Sequence, residues 1–274
     1  MRVSEAAAAG RLLLIGCGQM GSAMLRGWLA RHAAQKFDVV EPAGSPLDLA
    51  NTAGISWHED ATSVPDITPD AVVIAVKPQT IDTVLPPYRR FVRPGTVFLS
   101  IVAGKPIGAL ARHLGDAALV RCMPNTPAAI GRAITVACAN AAVSTAQRQL
   151  CDALLAAIGE SDWVEDEALM DAVTAVSGSG PAYVFLLIET LAAAGTRMGL
   201  SPELALRLAR ETVAGSGELA RRSSETPARL RENVTSPGGT TRAALDVLMA
   251  QPGMAELLER AVVAATGRSR ELAN

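Results

Sequence analysis

The chain has 274 residues, enough for one large domain or two smaller ones with separate cores. A net charge of −2 and a pI near 6.0 exclude the electrostatic footprint of a nucleic-acid or membrane-surface binder and point to a small-molecule partner. Hydrophobic residues make up 49% of the chain but include only 3 Trp, 2 Tyr and 4 Phe, so the core must be built from Ala, Leu, Val and Ile.

Met1 to Gly10 read as a loose tail without the apolar region of a signal peptide. No uninterrupted apolar run approaches the roughly 18 residues that span a bilayer. Arg11 to Ile15 form a short apolar run, followed by Gly16-Cys17-Gly18-Gln19-Met20-Gly21 and then by the helical pattern Ala23, Met24, Leu25, Trp28, Leu29. A GxGxxG is weak evidence alone, but between a strand and a helix it predicts a dinucleotide-binding turn. Phe37 to Val40 form the second strand, ending at Glu41, where such a fold places the acid that holds the adenosine ribose.

Further strands are expected at Ala71–Val76, stopping at Lys77-Pro78, at Thr96–Val102, stopping at Ala103-Gly104, and at Leu119–Met123, stopping at Pro124-Asn125. Ile134 to Ala139 add one more. Ligands of doubly wound sheets lie beyond the carboxyl ends of the strands, so these stops are where cofactor contacts belong. Cys17, Cys122, Cys138 and Cys151 lack CxxC spacing, which predicts buried free thiols in a reducing cytoplasm and no metal site.

From about Glu165 the pattern turns helical, so residues 1–164 are read as the dinucleotide domain and 165–274 as a helical one. Ser201-Pro202 and Thr226-Pro227 are helix starts with a hydroxyl cap and proline in the first turn. Pro181 opens a helix, Ala182 to Met198, that is apolar on most faces; it must be buried, and a second subunit is the expected cover. Between Val234 and Asp246 a Pro-Gly-Gly turn delivers Thr240 and Thr241 to a helix start, where unpartnered backbone N–H groups, with Ser236, suit a small carboxylate. Taken alone, these threonines also fit ordinary capping.

Gly16–Gly21, Val76-Lys77-Pro78-Gln79, Arg121–Pro127, Gly178–Tyr183 and Val234–Thr241, in this order and spacing, resemble pyrroline-5-carboxylate reductases over residues 11 to 272. The resemblance implies an α/β fold: an N-terminal Rossmann domain with a parallel sheet, plus an all-α C-terminal domain that forms a homodimer and often a ring of dimers. It implies hydride transfer from NADPH or NADH to 1-pyrroline-5-carboxylate, giving L-proline in the last step of proline biosynthesis. By position, Gly16, Gly18, Gln19, Met20 and Gly21 match the pyrophosphate loop, and Ala75, Lys77 and Pro78 the wall beside the nicotinamide ribose. Ala103, Gly104 and Asn125 border the nicotinamide, while Ser236, Gly239, Thr240 and Thr241 match the substrate loop, with Thr241 at the ring nitrogen.

The residue inventory agrees with an imine substrate. Ketone reduction calls for a proton donor, yet the only histidines and lysines are His32, His58, His113, Lys36, Lys77 and Lys105, none in the helical half. A protonated imine accepts hydride without one. A beta-hydroxyacid dehydrogenase uses a lysine early in its second domain, which this chain lacks; a silent dinucleotide sensor is the other alternative. Glu41 beside a 2′-phosphate creates like-charge repulsion, so NADH is expected to serve at least as well as NADPH.

Overall fold

The computed structural model describes residues 9–273, so Met1 to Ala8 of the expected tail lie outside the described residues. Ala9 and Gly10 are not tail: they begin the first strand. Two compact units are present, one running to Gly178 and including the chain end from Thr266, the other running from Ser179 to Ala265.

The first unit is built on an eight-stranded sheet. Its strands are β1 (Ala9–Ile15), β2 (Ala34–Val40), β3 (Ile55–His58), β4 (Ala71–Ile74), β5 (Val97–Ser100), β6 (Ala118–Met123), β7 (Ala133–Ala139) and β8 (Gly159–Trp163). Their order across the sheet is β3-β2-β1-β4-β5-β6-β7-β8. The first six in this row are mutually parallel, whereas β7 runs antiparallel to β6 and parallel to β8, so the sheet is not parallel throughout. Strand order reverses at β1, where Ile15 pairs with Val40 on one side and Ile74 on the other.

Both faces of this sheet are covered, which is why its strands read as unbroken apolar runs. Leu12 and Leu14 of β1 face a layer containing Met24 and Trp28 of α1 (Gln19–Ala30) and Leu154 of α4 (Thr145–Ala156). Leu13 and Ile15 face the opposite layer, formed by α2 (Ile81–Val84), the 3-10 turn Pro86–Phe91 and α3 (Ile107–Leu114). Trp28 is fully buried, donates from Nε1 to the Leu154 carbonyl at 2.9 Å and stacks on Phe37, so it is a packing residue. The edge strands β3 and β8 carry no apolar run, being Ile-Ser-Trp-His and Gly-Glu-Ser-Asp-Trp, as suits exposed edges.

After β8 the chain passes through the 3-10 turn Glu167–Leu169, tied to the sheet by an ion pair from the buried Arg121 to Glu167 at 3.0 Å, into α5 (Met170–Val173). Glu167 also accepts from the backbone N–H of Ile107. These ties hold Glu167 to the sheet, and the first compact unit runs on to Gly178. A π-helical turn, Thr174–Gly178, continues the helix. Its Gly178 packs so closely on Met123 that any Cβ would collide with that side chain.

The second unit contains α6 (Gly180–Arg197), α7 (Pro202–Arg222), α8 (Pro227–Asn233), α9 (Thr240–Leu248) and most of α10 (Met254–Ala273). The expected caps form: Ser201 Oγ accepts from the Leu204 N–H, and Thr226 Oγ1 from the Arg229 N–H, both at 3.3 Å. Between Ser179 and Ala265 only Ala205 and Ala209 are buried. Helix α6 buries none of its residues, and Phe185, Leu187 and Leu191 stand 56%, 42% and 44% exposed. The helical stretch Glu167–Arg197 is long and apolar enough to cross a membrane by length and composition, although no uninterrupted apolar run in the sequence marks it.

Candidate active site

The carboxyl end of β1 turns at Gly16 into α1. Gly16 has φ +90°, and a Cβ there would stand 2.7 Å from the Ala75 carbonyl oxygen. Gly21, one helical turn on, lies against the Gly16 carbonyl, leaving no room for a side chain. Gly18, by contrast, faces open space and is the N-cap of α1, whose start has no side-chain cap. One glycine makes the turn, one permits close helix packing, and the one between leaves bare backbone N–H groups at a positive helix end: the cradle fits a pyrophosphate.

The cleft beside this cradle has a volume of about 590 Å³ and lies where the strand order reverses. Gly16, Gly18, Glu41, Ala75 and Lys77 all line it. Gln19, Met20 and Gly21 form the first turn of α1, and Pro78 opens the 3-10 turn after Lys77. Glu41 follows β2 and is held by two backbone donors, Cys17 N–H to Oε2 at 2.7 Å and Ala43 N–H to Oε1 at 3.1 Å. Its carboxylate therefore fastens the glycine loop while retaining lone pairs toward the cleft. Cys17 is not a reactive thiol: burial, reinforced by Glu41, pushes it up to about 11. All four cysteines are free and buried.

Ala103 is exposed and Gly104 buried after β5, with Gly104 at φ +72° under Leu272 of α10. Asn125 follows β6, where Oδ1 accepts from the Ile134 N–H at 3.0 Å and Nδ2 donates to the Ser177 carbonyl at 3.2 Å. Its side chain braces the loop. Sequence reasoning missed Glu59, Asp60 and Thr62, which also line the cleft. The signal available was the rule that strand ends bear ligands, but β3 was too short and polar to be recognised. The histidines are engaged elsewhere, His58 with Asp38 and His113 with Asp82, each at 2.8 Å, while His32 follows the end of α1.

In the second unit, the turn Ser236–Gly239 closes through a bond from the Gly239 N–H to the Ser236 carbonyl at 3.1 Å, with Gly238 at φ +69°. Gly239 is the N-cap of α9, and no side chain caps the helix. Thr240 and Thr241 are its first two residues, so the capping alternative is not realised. Thr241 is half-buried and Thr240 and Ser236 are exposed. A Gly21→Ala substitution is expected to cost about 1–3 kcal/mol of stability by overpacking, and to weaken dinucleotide binding. Thermal unfolding and a fluorescence titration measure both.

Sheet order and glycine cradle define a dinucleotide-binding protein of Rossmann type with an appended helical region. Residues 11–104 match the family model for NADP oxidoreductase, coenzyme F420-dependent, and residues 167–272 that for pyrroline-5-carboxylate reductase dimerisation. The chain is 42% identical to the pyrroline-5-carboxylate reductase of Pseudomonas aeruginosa over 96% of its length and 97% of the relative's, and 39% identical to that of Synechocystis. The structure of the Coxiella burnetii enzyme superposes with a TM-score of 0.88 at 32% identity, covering 96% of this chain and 98% of that one. The Plasmodium falciparum enzyme, solved with NADP bound, superposes with a TM-score of 0.81 at 30% identity, covering 96% of this chain and 98% of that one. The chain belongs to the pyrroline-5-carboxylate reductase family. That membership displaces the hydroxyacid-dehydrogenase alternative.

Proposed function

We propose that the chain reduces 1-pyrroline-5-carboxylate to L-proline with NAD(P)H, residues 1–164 binding the dinucleotide and residues 165–274 holding the substrate and forming a homodimer. The observation that carries this reading is the start of α9, where a glycine cap leaves backbone N–H groups and two threonine hydroxyls without capping duty. Such a helix end receives the substrate carboxylate, with Ser236, Gly239 and Thr240 shaping the turn. The Thr241 hydroxyl accepts from the ring N–H and so orients the C=N bond.

When bound, a reduced nicotinamide would supply the hydride that the imine carbon accepts. The C=N electron pair moves to a nitrogen that already carries a proton, so no side-chain acid is required; the engagement of His58 and His113 away from the cleft accords with this. Gln19 and Met20 offer helix-start N–H groups to the pyrophosphate. Lys77 and Pro78 would flank the nicotinamide ribose, and Asn125 braces the strand-end loop that, with Ala103 and Gly104, would border the ring. Four buried free thiols suit a reducing cytoplasm.

The test is oxidation of reduced cofactor by the purified chain with 1-pyrroline-5-carboxylate, beside a panel of 3-hydroxy acids run in the reverse direction. Imine-dependent turnover with no activity on the hydroxy acids is expected. Cofactor binding without turnover of the imine would instead mark a dinucleotide sensor.

A further inference from the structure

The cofactor cleft carries its negative charge at one end. Glu41 follows β2, and Glu59 and Asp60 follow the adjacent edge strand β3; all three line the cleft. The Asp60 carboxylate accepts from the Thr62 hydroxyl at 2.7 Å and from the backbone N–H groups of Thr62 and Ser63 at 2.8 and 3.0 Å. These bonds, that of the Thr62 hydroxyl foremost, hold it below the usual carboxylate range. They also spend the Thr62 hydroxyl proton, which is then not offered to a phosphate.

The nearby cations are engaged elsewhere. Arg26 of α1 is gripped in a fork by Asp48, Nε to Oδ2 at 2.8 Å and Nη2 to Oδ1 at 3.0 Å. Arg90 donates to the carbonyls of Ala61 and Val64 at 2.8 and 2.6 Å, within the turn that follows Asp60. Among the described residues that line the cleft, Lys77 is the one cation, and it follows β4, across β1 from β2 and β3.

We propose that the adenosine end of this cleft selects NADH over NADPH, with Glu41 holding the ribose and Glu59 and Asp60 extending a carboxylate field that repels a 2′-phosphate. The proposal rests on the cofactor reading above and deepens it. A 2′-phosphate adds close to two negative charges, and within one Debye length of three carboxylates, with Lys77 the one lining cation and set across β1 from them, it is disfavoured. Asp48 acts indirectly, as a positioning residue, by withholding the guanidinium of Arg26.

The test is equilibrium titration of the full chain with NADH and with NADPH, read by nucleotide fluorescence, in wild type and in Glu41→Ser, Glu59→Gln and Asp48→Asn. Wild type is expected to bind NADH at least tenfold more tightly. The preference should fall about tenfold in Glu41→Ser and severalfold in Glu59→Gln and Asp48→Asn, and added salt should narrow it. Binding of NADPH as tight as that of NADH in wild type, or a preference unmoved by Glu41→Ser and Glu59→Gln in folded protein, overturns the proposal. Failure to bind either dinucleotide overturns the cofactor reading itself.

Discussion

Replacing Leu187 and Leu191 together by arginine is expected to leave the chain aggregated or unable to fold. Both side chains stand on α6, which has no buried residue within the single chain, and both are more than two-fifths exposed there. The matched dimerisation region, residues 167–272, includes them. Completing the burial of a leucine contributes up to about 1.5–3 kcal/mol, whereas an unpaired charge forced into the covered face costs about 3–5 kcal/mol. Two such changes exceed much of a typical domain's stability. Light scattering and circular dichroism read the outcome; a well-folded wild-type monomer, or a double variant that still forms native dimers, would remove α6 from the interface.

Thr241→Ala should lower kcat/KM for the imine by about 1–2 kcal/mol, or roughly 5- to 30-fold, the loss of one hydrogen bond at the reacting ring. Affinity for the dinucleotide should change little. Thr241→Ser retains the hydroxyl and should recover most of the rate, which separates a hydrogen-bonding role from packing. Unchanged imine kinetics in folded Thr241→Ala would take the residue out of the site and leave the helix start alone to hold the substrate.

Arg221, Arg222, Arg229 and Arg231 are all exposed, and Arg221 and Arg229 pair with Glu218 and Glu232 three residues away. Such pairs contribute a few tenths of a kcal/mol each. They do not mark a site.

What the sequence determined by itself was local and periodic. The apolar runs of β1, β4, β5 and β6 are legible because both faces of a parallel sheet are covered, and the glycine turn because its backbone admits no Cβ at Gly16 or Gly21. The hydroxyl caps at Ser201 and Thr226 are equally local. The signature Ser144-Thr145-Ala146-Gln147 of the capping box that starts α4 was also there to be read. Tertiary structure decided what depends on residues far apart in the chain. The edge strands β3 and β8 gain their partners only across the sheet, so their polar sequences carry no strand signal. The reversal of β7 is set by its pairing with β6. The bracing of Asn125 by Ile134 and Ser177, the fastening of the glycine loop by Glu41, and the arrival of Glu59 and Asp60 at the cleft all join separate segments. Periodicity reports which face of an element is buried; it carries no information about which distant side chain arrives at the end of a neighbouring strand.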